Sequence, residues 1–76
     1  MSLKQHEKWP AIGLVHLALD CLGMSTLDQI TEFINAANHR ITPIGVSRAL
    51  HQLRFEGAVL ALIEGERVRY RLRAYG

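Results

Sequence analysis

"TPIGVSRALHQLRFEGAV", residues 42–59, carries the clearest structural signals in this chain of 76 residues. Thr42 is a typical N-cap residue, and Pro43 occupies the first helical position, where proline is well tolerated. Apolar residues then recur at helical spacing, at Val46, Leu50 and Leu53. Gly57 suits the left-handed conformation that ends many helices. The stretch therefore predicts a helix over about residues 43–56, followed by the entry to another element.

Two further helices are predicted before it. "AIGLVHLALDCL", residues 11–22, is apolar nearly all round, which favours a central or intersubunit helix beginning near Trp9-Pro10 and ending at Gly23. Its apolar residues at helical spacing are Ile12, Val15, Leu19 and Leu22, with Leu14 and Leu17 on other faces. His16 and Cys21 are predicted to be packed rather than functional, His16 in the core or at an interface and Cys21 as a small buried residue.

"MSTLDQITEFINAANH", residues 24–39, predicts the second helix. Ser25 or Thr26 can cap it, with Asp28 or Gln29 as the capping-box partner. Its predicted buried residues are Leu27, Ile30, Ile34 and Ala37, and Asn38 is a suitable left-handed terminator. Only "NHRIT", residues 38–42, separates the second and third helices, so the chain must turn sharply between them.

The last element is a predicted hairpin, "VLALIEGERVRYRLR", residues 59–73. A turn at Gly65-Glu66 would place Ile63 opposite Val68, with Ala61–Tyr70 and Val59–Leu72 on the same face, towards the helices. The other face would carry Leu60, Leu62 and Glu64 beside the arginines Arg67, Arg69, Arg71 and Arg73. A cross-strand pair of Glu64 with Arg67 could account for one of these arginines, and charge can protect an exposed edge.

Charge is distributed unevenly along the chain, although the net charge is only +2. Residues 1–39 hold two lysines against four carboxylates, a balance of −2, whereas residues 40–76 hold seven arginines against three glutamates, a balance of +4. Arginine binds phosphate and guanine in bidentate fashion. The asymmetry therefore points towards a polyanionic partner.

Three helices with a tight turn before the third, followed by a two-stranded hairpin, resemble the winged helix-turn-helix family of bacterial, archaeal and phage DNA-binding proteins. The resemblance rests on residues 42–59, where the helix, its glycine stop and the entry to the hairpin look like a recognition helix and a wing. It covers roughly residues 10–73. It implies a mainly α fold with a small β hairpin, made of a flexible arm, residues 1–8, and a winged-helix DNA-binding domain, residues 9–76.

What the resemblance implies is sequence-specific binding of double-stranded DNA by a small, repressor-like transcriptional regulator. The helix at about 43–56 would enter the major groove, and the wing, 59–73, would lie on the backbone or in the minor groove. Arg48 and Gln52, one turn apart, are the expected base readers, since arginine pairs with guanine and glutamine with adenine. The other expected DNA-contacting residues are Arg40, Thr42, Gly45, Ser47, His51, Arg67, Arg69 and Arg71. Thr42 is expected to bind a phosphate through its hydroxyl and the free amides of the helix start. Gly45, which has no side chain, would permit close approach of the phosphodiester chain.

Other interpretations remain open. The polar side chains of the third helix could simply solvate one face of an amphipathic helix. A winged-helix protein-interaction module without DNA binding would use exposed apolar residues such as Ile44, Phe55, Leu60 and Leu62. RNA binding is less favoured, because the chain has no aromatic-rich sheet on which bases could stack.

A homodimer is expected, because 49% hydrophobic residues is rich for so small a domain. Its interface is predicted at Leu14 and Leu17 of the first helix and at Leu60 and Leu62 of the hairpin. We expect no enzyme, because the sequence shows no glycine-rich phosphate loop, nucleophile elbow or convincing carboxylate pair. The four histidines lack metal-ligand spacing, so neither a metal nor another cofactor is expected, nor a small-molecule substrate. One cysteine and no signal or membrane-spanning stretch predict a cytoplasmic, nucleoid-associated protein.

Overall fold

A computed structural model of the protein describes residues 11–73, so the predicted arm at 1–8 and the predicted helix start near Trp9 lie outside the described residues. The elements follow in the order α1 (Ala11–Leu22), β1 (Ser25–Thr26), α2 (Leu27–Ala36), α3 (Pro43–Phe55), β2 (Val59–Glu64) and β3 (Arg67–Leu72). Three helices and an antiparallel sheet thus make up the fold, and the predicted fold class is confirmed.

The predicted start of α2 is confirmed as a capping box. The Thr26 Oγ1 accepts a hydrogen bond from the Gln29 amide at 3.2 Å, and the Gln29 Oε1 accepts one from the Thr26 amide at 2.9 Å. Of the two predicted partners, Gln29 therefore completes the box. The two reciprocal bonds satisfy amides that a helix start leaves without intrahelical acceptors.

The predicted ends of the helices are also confirmed. Gly23, Asn38 and Gly57 have φ values of 79°, 69° and 83°. After α3, the Gly57 amide donates to the Arg54 carbonyl at 3.0 Å and the Ala58 amide to the Leu53 carbonyl at 2.9 Å. This Schellman arrangement turns the chain from α3 directly into β2.

The sheet has three strands in the order β1-β3-β2, whereas two were predicted. The predicted hairpin register is confirmed: Val59 lies opposite Leu72, Ala61 opposite Tyr70 and Ile63 opposite Val68. The missed strand is β1, whose Ser25 pairs with Tyr70 and Thr26 with Arg69. Ser25 and Thr26, which follow the end of α1 and lead directly into α2, carry no strand pattern of their own. Because of β1, the arginine-bearing strand β3 is the centre of the sheet instead of one arm of a free hairpin.

The core is shared by all three helices and the start of β2. Its buried apolar residues are Leu14, Val15, Ala18, Leu19, Ile30, Ile34, Val46, Ala49, Leu50, Leu53 and Val59. Tyr70 and Leu72 pack against it from the inner face of the sheet. Ile63, also predicted to close over the helices, is 71% exposed because the end of the hairpin extends beyond them.

The buried face of α1 differs from the prediction. Leu14 and Ala18 are buried together with Val15 and Leu19, whereas Ile12 and Leu22 are exposed. Their spacing was helical, but spacing alone does not decide which of two apolar faces meets the other helices. His16 and Cys21, predicted to be packed, are both exposed in the chain, as is Ala37 beyond the end of α2.

Candidate nucleic-acid interface

The turn between α2 and α3 is held by the side chain of Asn35. Its Oδ1 accepts a hydrogen bond from the Ile41 amide at 3.2 Å, and its Nδ2 donates to the Ile41 carbonyl at 3.1 Å. The same Nδ2 also donates to the Thr31 carbonyl at 3.0 Å, one turn back on α2. Both backbone groups of Ile41 are therefore tied to α2 immediately before α3 begins. This contact was not predicted, and its only local signal in the sequence is an asparagine in the last turn of a helix before a tight turn.

Thr42 caps α3 as predicted, and the cap takes up the Gly45 amide, one of the amides expected to bind phosphate, while the hydroxyl hydrogen of Thr42 can still donate. The Thr42 Oγ1 accepts a hydrogen bond from the Gly45 amide at 3.1 Å, and the Thr42 carbonyl accepts one from the Val46 amide at 3.0 Å. Pro43 has no amide hydrogen. Among residues 43–45, only the Ile44 amide is therefore left for an external anion.

Gly45 lies close to neighbouring side chains of its own chain. A Cβ at this position would lie 3.3 Å from the Ile41 Cγ1 and 3.4 Å from the Thr42 Oγ1. A side chain here would press against the turn that Asn35 fixes. The structure thus gives Gly45 a packing role, in addition to the predicted approach of a phosphodiester chain.

The exposed side of α3 carries the residues that were predicted to contact base pairs. Ser47, Arg48 and His51 are exposed, because Val46, Ala49, Leu50 and Leu53 take the buried positions of the helix. Arg48 and Gln52 line one shallow groove between α3 and the start of α1, with Ala11 and Ile12 beside them. The structure therefore brings the two expected base readers together on one surface.

Gln52 also has a partner within the helix. Its Nε2 donates a hydrogen bond to the Glu56 Oε2 at 2.9 Å. The second Nε2 hydrogen and the Oε1 are enough for the two bonds that glutamine makes with adenine. The Glu56 carboxylate, however, adds a negative charge at this end of α3, which disfavours phosphate there.

The arginines of β3 occupy the outer face of the sheet, opposite the face that covers the helices. The predicted pair of Glu64 with Arg67 is wrong: the ion pair joins Glu64 to Arg69, with 3.6 Å between the Oε1 and the Nη2. The Arg69 Nη1 also lies 3.9 Å from the Met24 sulfur. Arg69 therefore leans across the sheet, and Arg67, next to the turn, remains exposed.

Arg73 has a structural contact. Its Nη1 donates to the Gly57 carbonyl at 3.4 Å, and its backbone amide donates to the Ala58 carbonyl at 2.8 Å. A guanidinium beside the last carbonyls of a helix interacts favourably with the helix dipole. The four arginines are thus not equivalent, and Arg73 closes the junction between α3 and β2.

The remaining residues predicted to contact DNA or a second copy differ in their exposure. Arg40 is exposed in the turn before α3, and Arg71, opposite Leu60, is half-buried on the outer face of the sheet. Leu17 and Leu62 are exposed, as is Leu60. Leu14, in contrast, is only 7% exposed and belongs to the core of its own chain.

The structure of residues 11–73 also bears on membrane crossing and metal binding. None of the helices there has both the length and the apolar character that crossing a bilayer requires. No group of three or more His, Cys, Asp or Glu side chains in this part of the chain could hold a metal ion.

Comparisons with known proteins identify similar structures but no related sequence. No family model matches the chain, and no curated protein matches it. One similar structure comes from work on the DNA recognition and protein interaction domains of HOP2, with a TM-score of 0.73 and 20% identity over 83% of this chain and 98% of that one. Another is BpsR of Bordetella bronchiseptica, whose DNA binding is regulated by 6-hydroxynicotinic acid, with a TM-score of 0.75 and 15% identity.

The match to BpsR covers 91% of this chain, which spans 51% of the BpsR chain. At these identities the likeness concerns the fold. It agrees with the element order, the tight turn before α3 and the three-stranded sheet described above. The chain therefore has a winged helix-turn-helix architecture, shared with structures of DNA-binding proteins.

Proposed function

We propose that this chain binds double-stranded DNA sequence-specifically as a small, repressor-like transcriptional regulator. In this proposal α3 lies in the major groove, where Arg48 contacts guanine and Gln52 contacts adenine. Ser47 and His51 are their neighbours on the same flank. Arg40, the Thr42 hydroxyl and the Ile44 amide contact the flanking phosphates, and Gly45 allows the phosphodiester chain to approach closely.

The observation that carries the proposal is the way in which α3 is presented. Its start is tied to α2 by the two bonds between Asn35 and Ile41, and its end is fixed by the turn at Gly57. Between these two points, Arg48 is exposed on a helix whose opposite side is buried. A rigidly mounted helix with an exposed arginine has the form that major-groove recognition requires. The likeness to structures of DNA-binding proteins supports the same proposal.

The wing has a secondary role in the proposal. Arg67 lies next to the turn and is exposed, so it is the arginine of the wing proposed to contact a flanking phosphate. Arg69 would have to share its guanidinium with Glu64, and Arg71 lies further from the turn. Because the arginines of β3 lie on the outer face of the sheet, Arg71 contributes only where DNA runs along that face.

Fluorescence anisotropy on duplexes obtained by selection from a random pool tests the proposal. Arg48→Ala should lose about 1–3 kcal/mol of discrimination at one base pair, and Arg48→Lys is the matched control that keeps the charge without the bidentate geometry. Arg67→Ala should weaken binding to all duplexes alike and lower the slope of log K against log salt by about 1. Wild-type affinity and selectivity in both Arg48→Ala and Arg67→Ala would contradict the proposed surface.

A second candidate function is favoured by the exposed apolar residues at the two ends of α3. Phe55 is 84% exposed and Ile44 67%. A protein-interaction module would use such residues to hold a partner protein. Indifference to DNA at low salt, together with a partner whose binding is lost in Phe55→Ser, would favour this candidate over the first.

A further inference from the structure

The outer edge of β2 has backbone groups that face away from the sheet. The Arg73 amide donates to the Ala58 carbonyl, so this pair is a hydrogen-bonded pair of the β2–β3 ladder. Because such pairs alternate in an antiparallel ladder, Leu60, Leu62 and Glu64 also direct their backbone groups to β3. The groups of Val59, Ala61 and Ile63 therefore point the other way. Within residues 11–73 no strand pairs with them, since β2 is at the end of the strand order.

This edge lacks the features by which proteins usually prevent strand addition. Residues 59–63 contain no charge, proline or glycine, and Ile63 is 71% exposed. Val59 is only 2% exposed, so its outward groups are not accessible to another strand. The accessible part of the edge is therefore centred on Ala61 and Ile63.

We propose that β2 pairs antiparallel with β2 of a second copy of this chain, forming one continuous six-stranded sheet across a two-fold axis. Such an axis keeps the outer faces of both sheets on the same side, so residues that pair must come from the same face. Ala61 then exchanges hydrogen bonds with Ile63 of the second copy, and Leu62 meets its own counterpart on the axis. This is the register that uses the accessible groups without involving Val59.

The charges on the outer face of the sheet support pairing with a second copy of the chain. In this register Glu64 lies opposite Leu60 of the second copy, with Arg71 of that copy in the adjoining strand. Each Glu64 thus gains a second arginine nearby, in addition to its own Arg69. Leu60 and Leu62, which the isolated chain leaves exposed, form one apolar patch with their counterparts. No like charges face each other across the axis.

The proposed pairing specifies the interface of the homodimer that is expected for a DNA-binding regulator. It depends on the edge of β2 alone. It can fail while α3 still binds DNA as a monomer, and it can hold for a chain that binds no DNA. The two proposals are therefore tested by separate measurements.

Cysteine cross-linking tests the register. In a Cys21→Ser background, Leu62→Cys should form a disulfide-linked dimer, since residues at a non-hydrogen-bonded pair lie about 4.5 Å apart at Cα, within the range that a disulfide spans. Leu60→Cys is the matched control, on the same strand and face and 39% exposed against 36% for Leu62. Its two copies would lie roughly 13 Å apart, four residues out of register, so it should not cross-link. Equal cross-linking of both variants, or of neither, would overturn the register.

Sedimentation of the full chain tests the dimer without a disulfide. Ile63→Lys should shift the mass from twice 8.6 kDa to the single chain, whereas Ile44→Lys, the same change at a similarly exposed residue outside the sheet, should leave the dimer intact. Ala61→Pro should have the effect of Ile63→Lys without unfolding, because the Ala61 amide points away from β3. A monomeric wild-type chain at all concentrations, or a dimer that survives both sheet variants with circular dichroism unchanged, would overturn the proposal. Anisotropy of Ile63→Lys on DNA then reports separately on the proposed function.

Discussion

Replacing Asn35 by alanine should weaken both the stability of the fold and the presentation of α3. The change removes the two hydrogen bonds to the Ile41 backbone and the bond to the Thr31 carbonyl. A typical intramolecular hydrogen bond contributes about 0.5–1.5 kcal/mol net. All three bonds are exposed to solvent, so water replaces part of what is lost, and the lower end of this range applies. We expect a loss of about 1–2 kcal/mol in the free energy of unfolding.

Urea denaturation followed by circular dichroism measures this loss. The midpoint should fall while the m-value stays constant, because the surface exposed on unfolding does not change. In a domain of this size, each 1 kcal/mol corresponds to a decrease of about 4–8 °C in Tm. Asn35→Asp should destabilise at least as much as Asn35→Ala, since it keeps an acceptor for the Ile41 amide but places a carboxylate against the Ile41 and Thr31 carbonyls in the last turn of α2. Glu32→Ala, at an exposed position of the same helix, is the control and should change stability little.

The same variant connects the turn to DNA binding. If Asn35 orients α3, Asn35→Ala should weaken binding to a selected duplex under conditions in which the protein is fully folded. An unfolding midpoint equal to that of Glu32→Ala would refute the energetic argument. A lowered midpoint with unchanged DNA affinity would refute the link between this turn and recognition.

Three shorter predictions concern other parts of the fold. Gly57→Ala should destabilise by about 1–2 kcal/mol, because φ is 83° there, and thermal melting measures it. Thr26→Ala should cost about 1 kcal/mol in the same assay through loss of the capping box, whereas Gln29→Glu should cost little because it keeps the acceptor. Glu64→Gln should change stability by less than ~1 kcal/mol, since its ion pair with Arg69 is largely exposed, but should increase the affinity for random duplexes at low salt by freeing that arginine. A decrease in that affinity would contradict the placement of Arg69 near DNA.

Local chemistry made the helices and the hairpin predictable. Thr42 with Pro43 starts α3, and Gly57 ends it, since few residues suit an N-cap or a left-handed φ. The hairpin register followed from the glycine turn and the alternation of side chains, because a two-residue turn leaves one pairing that keeps the apolar face together. These signals act over a few residues and can be read without knowledge of the rest of the fold.

Contacts between distant residues were not predictable in this way. β1 is a strand only because Ser25 and Thr26 meet β3 more than forty residues later, and the two residues have no strand pattern. Arg69 pairs with Glu64 although Arg67 lies directly opposite Glu64, and the Arg69 guanidinium also contacts the Met24 sulfur. Such choices depend on which neighbours the folded chain supplies.

In the candidate site, too, local features were predictable and contacts between distant residues were not. The sequence alone determined that α3 exists and that Arg48 and Gln52 lie one turn apart on its polar flank, because helical periodicity fixes their relation. Only the tertiary structure decided that Asn35 anchors the entry to α3 and that the arginines of β3 occupy the outer face of a three-stranded sheet. The physical reason is range: caps and periodicity depend on neighbours along the chain, whereas the packing of one element on another depends on the whole chain being folded.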